Sequence, residues 1–102
     1  MKIIMSTLKD QKEAKEIGEE LVKQRLVACV NIIPKIRSIY WWQERINVDE
    51  EIMMICKTKD ERVGEVMEVI KKLHSYGVPS IECIDVEEVD PHYLEWINKE
   101  VK

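Results

Sequence analysis

Hydrophobic positions along this chain repeat with two different periods, and the places where the period changes mark its elements. Residues 2 to 7, Lys-Ile-Ile-Met-Ser-Thr, are a short apolar run that predicts a buried strand. Asp10, with Glu13 three residues on, has the spacing of a capping box, and Ala14, Ile17, Leu21 and Val22 share one face of the helix it opens. Gly18 on that face is small enough to let the helix lie close to a sheet. From Val27 the period drops to two. Val27, Cys29, Asn31 and Ile33 alternate with Ala28, Val30 and Ile32, and both sets are largely apolar, as in a strand central to a sheet or shared with a neighbour. Pro34 lacks a ladder N–H and predicts a bulge or bend, after which Ile36, Ser38, Tyr40 and Trp42 carry the strand on to residue 42. A second strand over residues 46 to 58 returns across a gap of three residues. Thr58 with Glu61, or Asp60 alone, is then expected to cap a helix whose inward face is Val63, Val66, Met67, Ile70 and Leu73. His74-Ser75-Tyr76-Gly77-Val78-Pro79 stops it, residues 80 to 86 supply a last strand, and Asp90-Pro91 opens a final helix carrying Tyr93, Leu94, Ile97 and Val101 inward.

The resulting order, β-α-β-β-α-β plus one helix, predicts an α+β fold: a ferredoxin-like split β-α-β sandwich with both helices on one face of an antiparallel sheet. The opposite face is left bare. The hairpin between the second and third strands is unusually long. At ~3.3 Å per residue, a strand over residues 27 to 42 would span ~50 Å, against a radius of gyration of ~13 Å for a compact domain of this size. The excess must project. Its tip carries Tyr40-Trp41-Trp42, and since such side chains each bury ~150–250 Å² when packed, other copies of the same chain are the expected cover.

With 102 residues and 45% hydrophobic content, residues 1–102 form one domain with a modest core. The net charge of −4 comes from 20 acidic and 16 basic residues that mingle along the chain, so neither nucleic acid nor an anionic membrane is an expected partner. No apolar run approaches the ~18 residues of a membrane span. The run Ile3-Ile4-Met5 is too short for a signal peptide, and a cytoplasmic location is expected. Cys29, Cys56 and Cys83 are an odd number without a C-x-x-C pair, expected to stay reduced and to act as small buried apolar side chains.

Four blocks carry a resemblance: Arg25-Leu26-Val27-Ala28-Cys29-Val30-Asn31, Ser38-Ile39-Tyr40-Trp41-Trp42, Ile55-Cys56-Lys57-Thr58, and His74-Ser75-Tyr76-Gly77-Val78-Pro79. With Asp90-Pro91-His92-Tyr93-Leu94-Glu95-Trp96 at the end, the chain resembles the CutA family of divalent-cation tolerance proteins over nearly its whole length. That resemblance implies a homotrimer similar in architecture to the PII signalling proteins, with hairpins wrapping neighbouring subunits. It also implies a link to copper and other divalent metals, so a non-enzymatic role in metal tolerance or homeostasis with no required cofactor is expected. The family's assigned copper ligands, one cysteine and two adjacent histidines, fall here on Ser6, Leu73 and His74. Only His74 can still ligate, so any Cu2+ or other divalent cation is expected to bind weakly, because neither serine nor leucine replaces thiolate or imidazole.

The remaining candidates are weaker. His74 at a helix end can instead cap the last carbonyls, and His92 is expected to face solvent. Glu50-Glu51 and the run Asp85, Glu87, Glu88, Asp90 offer carboxylates for millimolar cation binding. A cleft between subunits is expected to gather Cys29, Lys57, His74 and Tyr76, with Tyr40 and Trp42 supplied by a neighbour. Such a cleft suits a small effector of a PII-like signalling or interaction module, or a thiol-dependent enzyme if Cys29 is activated by Lys57 or His74. No catalytic triad or phosphate-cradling glycine loop is visible. Where family members often place Gly-Lys after the aromatic tip, this chain has Glu44-Arg45, which predicts a wider loop with Asn47 in any left-handed position.

Overall fold

A computed structural model describes residues 1–102. The elements run β1 (Lys2–Leu8), α1 (Gln11–Lys23), β2 (Cys29–Trp42), β3 (Arg45–Thr58), a 3₁₀ turn (Asp60–Arg62), α2 (Val63–Leu73), β4 (Glu82–Asp85) and α3 (Pro91–Glu100). They form one four-stranded sheet in the order β2-β3-β1-β4, with every neighbouring pair antiparallel. This is the predicted ferredoxin-like arrangement, in which β1 and β3 occupy the centre.

Strand alternation sends Ile4, Ser6 and Leu8 of β1 and Ile52, Met54, Cys56 and Thr58 of β3 to one face, all of them buried. Ala14, Ile17 and Leu21 of α1 and Val66 and Ile70 of α2 close over that face and complete the core. Val22 and Leu73 stay exposed at the edges of their helices. Fully burying each aliphatic side chain contributes ~1.5–3 kcal/mol, so this layer dominates the stability of the subunit. Gly18 lets α1 sit close to β2, since a Cβ there would lie 3.1 Å from Val30 Cγ1. The α3 helix packs at the Lys57 end of the sheet: Lys57 Nζ is 3.2 Å from the Tyr93 hydroxyl, and Lys102 N donates to Arg25 O.

Several local expectations change. Asp10 caps α1 by accepting from Glu13 N at 2.9 Å, but the Glu13 carboxylate does not complete the box. It turns instead to two donors on the loop after α2, Ser75 N at 2.7 Å and Ser75 Oγ at 2.9 Å. Thr58 does not cap α2 either. Its buried hydroxyl donates to Leu26 O at 2.6 Å, and α2 starts from the 3₁₀ turn with no side-chain cap. Asp90 and Pro91 open α3 as expected, with Asp90 accepting from His92 N and Tyr93 N. Of the cysteines, Cys56 is buried and Cys29 half-buried, whereas Cys83 is exposed because β4 is an edge strand.

The hairpin accounts for the shape, 45 × 25 × 21 Å along the principal axes. Its turn is tighter than the wide loop expected. Trp42 pairs directly with Arg45, leaving Gln43 and Glu44 as a two-residue turn with φ of 51° and 61°. Both residues are left-handed, as a type I′ hairpin turn requires, and neither is Gly or Asn. Asn47 stays in the strand and supports the turn through its side chain, which donates to Trp42 O and Arg45 O at 3.2 and 3.0 Å.

Candidate functional site

The bulge at Pro34 decides what the far half of the hairpin presents. Ile33 pairs with Met53 and Ile36 with Glu51, so β2 advances three residues while β3 advances two, and Lys35 takes φ of 59°. One extra residue reverses the alternation of β2. Even-numbered Val30 lies over the core, but beyond the bulge even-numbered Ser38, Tyr40 and Trp42 share the opposite face with Asp49 and Glu51. Odd-numbered Ile39 and Trp41 fall on the other side with Ile46 and Val48. These four are 69, 71, 64 and 57% exposed, a continuous apolar surface on the projecting arm.

On the first side, the arm and the loop after α2 enclose a cleft of about 580 Å³. Its walls are the rings of Tyr40, Trp42 and Tyr76, the carboxylates of Asp49 and Glu51, and Val78. The loop is anchored by His74. That ring is buried, with Nε2 2.8 Å from Thr7 O and Nδ1 3.1 Å from Tyr76 N. Since a carbonyl can only accept and an N–H can only donate, the imidazole holds its proton on Nε2. Glu13 fixes the same loop through Ser75, and its carboxylate lies 3.5 Å from His74 Nδ1. Tyr76, 4.8 Å from the His74 ring centre to centre, is thereby aimed at Glu51 and donates to Oε2 at 2.8 Å. Tyr40 donates to Asp49 in a short hydrogen bond diagonally across the ladder. Burial, followed by the Glu51 contact, pushes the Tyr76 phenol above its ordinary value, and the Asp49 hydrogen bond does the same to Tyr40. Both phenols are therefore neutral donors capping carboxylates.

Of the six residues expected in one cleft, the subunit brings Tyr40, Trp42 and Tyr76 together with His74 behind them. Tyr40 and Trp42 come from the same chain as Tyr76. Cys29 and Lys57 are cross-strand partners, and six residues of β3 separate Lys57 from Glu51, ~20 Å at strand rise. Within one chain they do not join the cleft. Cys29 Sγ has Asn31 Oδ1 as its polar neighbour at 3.7 Å, and burial pushes the Cys56 thiol up to about 12.

The positions corresponding to the family's copper ligands do not make a cage. Ser6 Oγ is buried in the core without a partner, Leu73 is exposed, and both His74 nitrogens are engaged. No three His, Cys, Asp or Glu side chains cluster as a metal site. Glu50 and Glu51 point to opposite faces, as adjacent strand residues must. Asp85 pairs with Lys2 at 3.2 Å, Asp90 is spent on its cap, and Glu87, Glu88 and His92 are exposed.

Asp49 and Glu51 were not distinguished as cleft residues by the sequence. A three-residue gap sets Tyr40 opposite Val48 and Ser38 opposite Glu50, whereas the two-residue turn shifts the register by one and brings Asp49 and Glu51 onto the aromatic side.

Comparison with known proteins places this geometry. The model of the CutA1 divalent ion tolerance protein family matches residues 2–100. The divalent-cation tolerance protein CutA of Pyrococcus horikoshii is 40% identical over 102 residues, covering 100% of this chain and 99% of its own; that of Thermus thermophilus is 35% identical over 97 residues, covering 95% and 94%. The crystal structure of CutA1 from Pyrococcus horikoshii superposes with a TM-score of 0.95 at 39% identity, covering 100% of this chain and 99% of that one. A structure described as the periplasmic divalent cation tolerance protein CutA of Archaeoglobus fulgidus gives 0.95 at 38% identity, with full coverage of both. With the family pattern matched from one end to the other and the same fold beneath it, this chain belongs to the CutA1 divalent ion tolerance family.

Proposed function

We propose that the chain serves divalent-cation tolerance as a cytoplasmic homotrimer that contacts metal ions, Cu2+ among them, directly but weakly. The family match over residues 2–100 carries this reading. Weak contact is supported by the substituted positions Ser6 and Leu73 and by the engaged nitrogens of His74, which leave scattered carboxylates as the available donors. Self-association is supported by the apolar surface of Ile39, Trp41, Ile46 and Val48, which a second and third copy would cover. Three unpaired cysteines favour a reducing compartment. No catalytic step is assigned. Anaerobic Cu2+ titration, with His74→Ala and Cys29→Ser as controls, should give saturable binding with a Kd of about 0.1–1 mM. No saturable uptake up to about 1 mM overturns direct contact.

The cleft favours a second reading, a small-effector site in a PII-like module. A volume of about 580 Å³ lies in the ~300–1,000 Å³ range of small-molecule pockets. A thermal-shift screen of metabolites tests it, because a ligand of the folded form raises the melting temperature.

A further inference from the structure

We propose that His74 in this chain is a latch for the loop after α2 rather than a metal ligand, and that Cu2+ is contacted elsewhere, by exposed carboxylates. Ser6, Leu73 and His74 are the positions that compare with the family's copper ligands, and of the three only His74 has a side chain suited to the metal.

The imidazole is fully engaged within one subunit. Its side chain has no solvent exposure, so no coordination position is open, and association with further copies can only add cover. Nε2 donates to Thr7 O at 2.8 Å and Nδ1 accepts from Tyr76 N at 3.1 Å. Ligation through Nε2 takes the donor away from Thr7 O, and ligation through Nδ1 takes the acceptor away from Tyr76 N. Either way a backbone group at a closed site loses its partner and costs its desolvation. No second ligand offsets that loss. Ser6 points with Ile4 and Leu8 into the apolar layer under the helices, where its Oγ has no partner, and Leu73 carries no lone pair. Glu13 lies 3.5 Å from Nδ1, but its two oxygens accept from Ser75 N and Ser75 Oγ.

The same contacts hold three elements together. Since β4 pairs with β1 only over Lys2–Met5, the Leu8 end of β1 has β3 as its one strand neighbour, and His74 reaches Thr7 there. Glu13 ties the first turn of α1 to Ser75, and Tyr76 N closes the loop back onto the ring. The ends of β1 and α2 and the start of α1 therefore meet at His74-Ser75-Tyr76. From that fixed point the Tyr76 hydroxyl reaches Glu51. His74 is a positioning residue that acts through Tyr76.

Amide hydrogen exchange and Cu2+ titration of the full chain, both followed by NMR, test the two halves of this assignment. Paramagnetic Cu2+ should erase resonances beside exposed carboxylates while those of His74, Ser75 and Tyr76 persist. The side-chain nitrogen of Gln can stand in for Nε2, and the side-chain oxygen of Asn for Nδ1. His74→Asn should thus keep Tyr76 N protected, whereas His74→Gln should speed its exchange by about tenfold, the loss of one hydrogen bond. Both variants should leave the Cu2+ Kd within about twofold of the parent's. Loss of the His74 resonances ahead of all others, or a Kd about tenfold weaker in both variants, would restore the metal ligand and overturn the proposal. Equal exchange of Tyr76 N in the parent and the two variants would overturn the latch. Should neither variant fold, the parent decides: the ring must show its proton on Nε2 and keep it there as Cu2+ is added, and a proton on Nδ1 alone refutes the assignment. Absence of any Cu2+ effect refutes direct metal contact by the chain, and His74 then stands as a latch on the exchange data.

Discussion

Gly18→Ala probes how closely α1 rides on β2, the strand that extends into the projecting arm. A Cβ at residue 18 would lie 3.1 Å from Val30 Cγ1, 3.5 Å from its Cβ and 3.7 Å from Cγ2. Carbon atoms pack best at roughly 3.5–4.0 Å, so the nearest methyl must retreat by about half an ångström. Val30 has little freedom to do so. Its β-branched side chain has restricted χ1, and its backbone is held in the ladder opposite Cys56. Alanine gains about 1 kcal/mol of helix propensity over glycine, while overpacking costs about 1–3 kcal/mol. The net expectation is a loss of about 1 kcal/mol. In a Val30→Ala background the obstacle is gone, and the same substitution should gain up to about 1 kcal/mol. Guanidinium denaturation of the four proteins at one fixed concentration measures the cycle, since the stability of an associating chain depends on concentration. A stabilising Gly18→Ala in the parent, or an identical effect in both backgrounds, would refute the packing argument.

Two further outcomes follow from particular residues. Replacing Gln43 by Asn and Glu44 by Gly should stabilise the chain by about 1–2 kcal/mol, because both positions hold left-handed backbone that these residues adopt with little strain; an unchanged denaturation midpoint would contradict the type I′ assignment. Cys56 links stability to alkaline pH. With the thiol raised from 9.0 to about 12 in the folded chain, its contribution is whole below pH 9 and falls by up to about 1.4 kcal/mol per pH unit above it. Cys56→Ala should flatten that decline between pH 9 and 10.5, and parallel curves for the two proteins would show that the thiol is not the cause.

The order of elements was legible because each carries a strong local signal: alternation in β2 and β3, a capped apolar stripe in α1, and Asp90-Pro91 ahead of α3. The bulge was legible from Pro34 alone. Its consequence was not, because reversing the alternation of β2 depends on how many residues each strand spends across the bulge. The turn was misread for a related reason. Gln43 and Glu44 lack the residue types that announce a type I′ turn, and the side-chain support from Asn47 only exists once the strands have paired. Tyr40, Trp42 and Tyr76 were singled out from their blocks, whereas Glu51 stood out only with Glu50 as a pair of carboxylates, and its burial on the aromatic side follows from a register that the sequence does not display. Glu13 and Thr58 had plausible capping roles, and each went instead to a distant partner, Ser75 or Leu26 O, that no local pattern reveals.

The account depends most on the arm being sheltered by further copies of the chain. Multi-angle light scattering in dilute neutral buffer tests this directly, and a mass three times the 12.1 kDa of one chain is the predicted result. A stable, well-behaved species of 12.1 kDa, with Ile39, Trp41, Ile46 and Val48 left in water, would contradict it.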